Sequence, residues 1–260
     1  MNQSSLNRQY LETLGIQLWV PRVTDMKNPC ISSVTNSDVV DQQQALPASL
    51  VESPSEPLQQ SQATQSEHEE NLQTITSLEQ LRAHIPSCVK CSIAQERTNT
   101  VFGVGNPNAD LMVVGEAPGK DEDLQGEPFV GRAGQLLDKM LAAIGLRRDQ
   151  AFIANILKCR PTNNRDPQKD EIANCIGYLN KQIELIQPKV ILSVGRVSAQ
   201  SLLGSETPIS RLRGKPHDYG EAKIPLIATY HPAYLLRSPA EKAKAWDDMK
   251  FVRFLLNQSE

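Results

Sequence analysis

Four short, nearly continuous apolar runs constrain this chain more than anything else in it: DLMVVG (110–115), FIANIL (152–157), KVILSV (189–194) and PLIATY (225–230). A strand wetted on one face alternates apolar and polar residues, so runs without alternation read as strands buried on both faces. Helix-patterned stretches separate them. In GRAGQLLDKMLAAIG (131–145), Leu136, Leu137, Met140, Leu141 and Ile144 fall on one helical stripe. A second helix is predicted from Asp166-Pro167, as N-cap and first-turn proline, to about Gln187 ahead of Pro188, with others over 196–203 and 239–257. Strands alternating with helices predict an α/β fold, a three-layer α/β/α sandwich with a central, mostly parallel four-stranded sheet. Ligands of such sheets sit beyond the carboxyl ends of the strands.

The opening of the chain lacks this pattern. Residues 1–75 carry three basic residues, Arg8, Arg22 and Lys27, against nine acidic ones, while the rest carries 24 basic and 21 acidic, so a net charge of −3 joins an acidic arm to a mildly basic body. Three units follow. Residues 1–24 read as a short N-terminal amphipathic helix built on Leu6, Tyr10, Leu11, Leu14, Ile16, Leu18, Trp19 and Val20. Residues 25–75 are rich in Gln, Ser, Pro and Glu and read as a disordered linker, because they bury too little apolar surface to offset ordering entropy. Residues 76–260 form the folded domain, whose basic excess is compatible with a nucleic-acid partner. No stretch approaches the ~20 apolar residues of a membrane span, and MNQSSLNRQY lacks the basic-then-apolar order of a secretory signal. A cytoplasmic protein is expected, in which five cysteines stay reduced and serve metal ligation or catalysis.

The residues with chemical potential cluster at strand ends. Gly115-Glu116-Ala117-Pro118-Gly119 directly follows the first run, with Asp121-Glu122-Asp123 behind it. The turn lacks the Lys-Ser/Thr of a P-loop and the spacing of a dinucleotide fingerprint, which disfavours a nucleoside triphosphate. Taken alone it also fits a solvated helix start. Cys88-x-x-Cys91 precedes the first run, Cys159 follows the second, and Cys175 lies in the next helix. Loop and helix can converge on one metal, and the spacing suits both a four-cysteine zinc site and an iron–sulfur cluster. Cys30 lies in the linker with no evident role. His231-Pro232-Ala233-Tyr234-Leu235-Leu236-Arg237 follows the last run, placing a titratable ring beside apolar residues of the kind that wedge into a base stack.

Residues from about Leu78 to Leu256 resemble the family 4 uracil-DNA glycosylases, the iron–sulfur branch of that superfamily. The resemblance is carried in order by CVKC, VFGVGNPNADLMVVGEAPGKDED, GEPFVGRAGQLLDKML, NILKCRPTNNRDP, LRGKP and TYHPAYLLR. It implies an enzyme that hydrolyses the N-glycosidic bond of uracil in DNA, releases the base, leaves an abasic site and so initiates base excision repair. By the same resemblance Cys88, Cys91, Cys159 and Cys175 hold a structural [4Fe–4S] cluster, which displaces the zinc alternative. Phe129 stacks on the flipped uracil and Asn155 reads its edge, since a carboxamide can donate to O4 and accept from N3–H, whereas cytosine presents the opposite pattern. Glu116 and Glu122 orient water and favour the cationic sugar, with Asp121 or Asp123 able to share that work. His231 donates to the departing base, Ala117 and Pro118 shape the pocket floor, and Leu235, Leu236 and Arg237 flank the gap in the DNA. Thr162 stands where the family often has a second proline, which alters loop stiffness. Glu116 separates the chain from family 5, which lacks a carboxylate at that position. A monomer acting on uracil in single- or double-stranded DNA is expected, and other readings are a DNA-binding module without turnover or a zinc-containing nucleotide hydrolase.

Outside that region, RQYLETLGIQLWVPR resembles the opening peptide of the psi subunit of the bacterial clamp-loader complex. It implies a helix-in-groove peptide over residues 6–20, with Leu14, Ile16 and Trp19 as anchors for a replication-machinery partner.

Overall fold

The structure, a computed structural model, describes residues 72–258. The readings for residues 1–24 and for the linker up to residue 71 lie outside the described residues.

Six strands form one sheet: β1 (Val104–Gly105), β2 (Leu111–Gly115), β3 (Phe152–Asn155), β4 (Val190–Val194), β5 (Pro216–Tyr219) and β6 (Ile224–Thr229). Their order is β1-β3-β2-β4-β6-β5. The inner four are the apolar runs of the sequence, paired in parallel, so that Gly115 stands beside Asn155 and Val194 beside Thr229. The expected four-stranded sheet is corrected to six by β1 and β5, which add antiparallel to the two edges. Edge strands escape an apolar signature because one side has no neighbour. β1 is only two residues long, and Pro216-His217-Asp218-Tyr219 alternates exposed and half-buried positions.

The helices are α1 (Leu78–His84), α2 (Lys120–Gln125), α3 (Arg132–Ala143), α4 (Lys169–Ile186), α5 (Arg196–Leu203), α6 (Ile209–Leu212), α7 (Pro232–Arg237) and α8 (Lys242–Asn257). Successive strand residues point to opposite faces, which creates two cores. Met112, Val114, Ile191 and Leu226 pack with Tyr178, Leu179 and Ile183 of α4 and Leu202 of α5. Leu111, Val113, Leu192 and Ile227 pack with Leu137 and Leu141 of α3 and Met249 and Val252 of α8. These are the three layers expected. Helix α4 starts two residues later than predicted, at Lys169 with Gln168 as N-cap: Asp166 is drawn into an ion pair with Arg196 (2.6 Å) and Glu171 caps the Gln168 N–H instead (2.8 Å). The folded unit also begins before residue 76, since Leu72 and Ile75, read as linker, are buried in the first core. Among the described residues no helix is long and apolar enough to cross a membrane.

Candidate active site and cysteine nest

A cleft of about 500 Å³ opens beyond the carboxyl ends of β2, β3 and β6, lined by Glu116, Ala117, Phe129, Asn155, His231 and Arg237 among others. The parallel register does most of this. Pairing Gly115 with Asn155 at the last rung sets the acidic turn directly beside the carboxamide. Gly115 is required there: a Cβ would lie 2.3 Å from Asn155 Oδ1 and 2.7 Å from the Phe129 ring. Asn155 is only 2% exposed, and its Oδ1 is buried without a hydrogen-bond partner. An unmet buried acceptor is costly, of the order of 1–3 kcal/mol, and marks where a ligand donor belongs.

Phe129 forms the opposite wall. Its backbone is left-handed (φ 55°), a strained state for an aromatic residue that persists only where the surroundings impose it. The constraint comes from Glu122. That carboxylate accepts from the Gly119 N–H with one oxygen (3.1 Å) and from the Val130 and Gly131 N–H groups with the other (3.1 and 3.4 Å). Glu122, which also lines the cleft, therefore braces the acidic turn against the Phe129 loop, a positioning part beside the expected one of orienting water. Asp123 is buried and accepts from the Thr98 and Asn99 N–H groups, so it does not share the catalytic work. Asp121 is exposed on α2.

Glu116 differs from Glu122. It is half-buried at the cleft, and its carboxyl is pushed up to about 7, chiefly by burial and then by the negative charge of Asp166, with Arg196 opposing; no hydrogen bond contributes. With no donors of its own the group leaves its oxygens free for a substrate, and it is ionised as pH rises past about 7.

His231 caps α7, its Nδ1 accepting from the Ala233 N–H at 3.1 Å. That bond fixes the tautomer, since an accepting Nδ1 leaves the proton of a neutral ring on Nε2. Burial, and then Arg237, push the ring down to about 4, so it is neutral at physiological pH. It stacks on Phe129 with centroids 5.6 Å apart and planes 26° from parallel. Gly195 leaves it room: with φ 104°, a Cβ there would approach the His231 side chain to 3.2 Å.

Of the residues expected at the DNA gap, Arg237 lines the cleft and Leu236 is 36% exposed. Leu235 is corrected to a core residue, 1% exposed and packed in the α3–α8 layer. Tyr234, 37% exposed and on the cleft, takes the outward place. Sequence reasoning also missed Arg165, which lines the cleft and grips Glu171 with both guanidinium nitrogens, fixing the loop before α4. Its signal was the six-residue separation of opposite charges across a Pro-bearing helix start.

The four expected cysteines all border the first core and lie near enough to act on one another electrostatically, and all are free. Cys159 and Cys175 are buried, while Cys88 and Cys91 are half-buried. Burial pushes the Cys175 thiol up to about 12, and burial followed by the neighbouring Cys159 and Cys88 raises Cys91. The two buried sulfurs each meet a donor: Arg97 Nη1 lies 3.3 Å from Cys159 Sγ and the Lys158 N–H lies 3.3 Å from Cys175 Sγ, while the Ala94 main chain faces Cys91. Donors on buried sulfurs suit thiolates ligating a metal group, which would deprotonate them outright. Among the described residues no group of three or more His, Cys, Asp or Glu is arranged to hold a single metal ion.

The Uracil DNA glycosylase superfamily profile matches residues 102–250. A type-4 uracil-DNA glycosylase of Archaeoglobus fulgidus is 46% identical over 191 residues, 71% of this chain and 96% of the relative. That of Sulfurisphaera tokodaii is 47% identical over 186 residues, 69% and 84% of the two chains, and that of Saccharolobus solfataricus 41% over 189, 70% and 87%. The chain belongs to the uracil-DNA glycosylase superfamily, in its type-4 branch. In a glycosylase, the unmet Asn155 acceptor, the aromatic wall and the raised Glu116 carboxyl face the volume a flipped base and its sugar would fill. The family match spans β1 to α8 and includes the cleft residues, Cys159 and Cys175; Cys88 and Cys91 precede the profile.

Proposed function

We propose that this glycosylase excises uracil from DNA, hydrolysing the N-glycosidic bond to leave an abasic site. The observation that carries the reading is the buried, unmet Asn155 Oδ1 facing an aromatic wall at the mouth of a parallel sheet. Uracil N3–H supplies the missing donor and its O4 takes the carboxamide N–H, whereas cytosine N3 has no hydrogen to give. Phe129 stacks on either pyrimidine, contributing on the order of 1–3 kcal/mol, so capture is tolerant and Asn155 selects. Breaking the bond develops positive charge on the sugar and negative charge on the base. Glu116, ionised, favours the first and orients water, and His231, neutral with its proton on Nε2, stabilises the second by donating a hydrogen bond. Leu236 and Arg237, with Tyr234, hold the gap left by the extruded nucleotide.

Cys88, Cys91, Cys159 and Cys175 would hold a [4Fe–4S] cluster, which supplies a structural tie between the loops and no step of the chemistry. The reading is supported by the donors that meet the buried sulfurs of Cys159 and Cys175. Anaerobically purified protein should be brown and contain iron and acid-labile sulfide; zinc in their place overturns it. Uracil-containing oligonucleotide incubated with the holoprotein and then treated with alkali should be cleaved at the uracil, and a cytosine control should not. An uncut uracil strand defeats the proposed activity. Residues 6–20 form a docking peptide for a replication partner, a reading supported by the apolar stripe of Leu14, Ile16 and Trp19; a pull-down in which Trp19→Ala keeps every partner removes it.

A further inference from the structure

Lys158 is 1% exposed, and a lysine is seldom enclosed in this way unless something holds its charge. Its Nζ donates to the Asn155 carbonyl oxygen at 2.8 Å and to Gln182 Oε1 at 2.7 Å. Gln182, fully buried, passes the chain on by donating Nε2 to the Phe102 carbonyl at 2.8 Å. The Lys158 main chain donates to Cys175 Sγ, and the next residue is Cys159. Burial works against the ammonium, and the sulfurs of Cys175 and Cys159 act in its favour. Among the described residues no carboxylate forms an ion pair with it.

The peptide unit leaving Asn155 is thus held at both ends. Its N–H, on Ile156, donates to the Gly115 carbonyl at 3.0 Å, and its oxygen accepts from Lys158. Because Asn155 Oδ1 has no partner within the protein, its direction is set by this main chain and by the contact with Gly115 and Phe129. We infer that Lys158 is a positioning residue for base recognition, its ammonium locking the Asn155 main chain and thereby aiming the reading carboxamide from the cysteine nest. The inference rests on the reading of the cleft as a uracil pocket, and extends it by making recognition depend on a cation outside the cleft.

The test uses holoenzyme, free uracil as the competing ligand, and a duplex carrying an abasic-site analogue as a probe of DNA affinity alone. Lys158→Met should raise the uracil inhibition constant about ten- to a hundredfold. Affinity for the analogue duplex and iron content should stay at wild-type values. Gln182→Leu keeps the cation but removes one anchor, and should weaken uracil inhibition a few-fold in the same direction. If Lys158→Met loses its iron, Gln182→Leu decides: weaker uracil inhibition with iron retained supports the role, and unchanged inhibition overturns it. Uracil and duplex affinities falling together in a variant that keeps its iron also overturn it, as general damage. A wild-type enzyme that free uracil does not inhibit sinks the uracil pocket itself, which is a different result from a wild type and variants inhibited equally.

Discussion

The cleft and the cysteine nest lie at opposite ends of one five-residue stretch, Asn155 to Cys159, yet they treat polar groups in opposite ways. In the nest the two buried sulfurs each have a donor, and the buried Lys158 has two acceptors. In the cleft an amide oxygen is unmet, a carboxyl is held near neutrality without a hydrogen bond, a histidine is kept from protonating, and a phenylalanine sits in left-handed backbone. Unmet groups and strain persist where a ligand comes and goes, because only the bound state satisfies them. A resident group is satisfied continuously. Damage to the nest should therefore cost the fold, and damage to the cleft should cost chemistry while leaving the fold intact or firmer.

The largest expected effect is in the nest. Cys175→Ala removes a buried thiol of α4, one of the four proposed cluster ligands, and the protein should lose iron and its cooperative thermal transition together, read by metal analysis and circular dichroism. A variant that stays folded and loses only turnover would erase the contrast.

Next comes Glu116→Gln, which should lower kcat by about a hundred- to ten-thousandfold while raising thermal stability above pH 7. The sign follows from linkage. Folded Glu116 holds its proton to about pH 7 against an ordinary value of 4.5, so the folded state binds the proton more tightly, and its contribution to stability is full below 4.5 and lost as pH rises towards 7. His231 runs the other way. Its folded value of about 4 against 6.5 means that stability is lost as pH falls from 6.5 through 4. The two slopes oppose between 4.5 and 6.5, and above that window Glu116 acts alone. The wild-type kcat/KM should accordingly rise with pH to a plateau beyond about 7, and that acidic limb should vanish in Glu116→Gln. A variant no more stable than wild type at pH 8 would mean that the raised carboxyl carries no cost.

Asn155→Asp should follow, lowering kcat/KM for uracil about tenfold to a hundredfold because the acid cannot donate to O4. The melting temperature should hold at acidic pH, where the buried acid is protonated, since no protein group depends on Oδ1, and should fall as pH rises and the acid ionises. Equal activity against the uracil strand would count against Asn155 as the selecting group.

What the sequence discloses follows the same division. The inner strands are legible because burial on both faces leaves an unbroken apolar run, whereas β1 and β5 are edges with half their surface exempt from that demand. The residues of the cleft are legible as a set because strand ends converge by topology. The bracing part of Glu122 was not legible because an acidic turn does not announce which carboxylate will meet main-chain N–H groups; the Val130–Gly131 turn that it grips is eight to nine residues away. Lys158 gave no sign, since a lysine ending an apolar run reads as a strand emerging into solvent. Leu235 did leave a clue in its spacing of three from Pro232, since both belong to the buried side of α7.

That last residue gives the smallest prediction and the most direct comparison of core with DNA-facing surface. Leu235 and Leu236 are adjacent and identical in composition, but the first is 1% exposed and the second 36%. Leu235→Ala opens a cavity between α3 and α8 and should destabilise the protein by about 2–5 kcal/mol in denaturant titration. Its DNA affinity should be unchanged below the transition. Leu236→Ala removes surface already partly wet, so its effect on stability should stay within about 0.5 kcal/mol. It should weaken binding to an abasic-analogue duplex a few-fold, because an apolar side chain at the gap gains contacts only when the stack is parted. Exchanged outcomes would mean that α7 rotates on meeting DNA and that Leu235 leaves the core to act as the wedge.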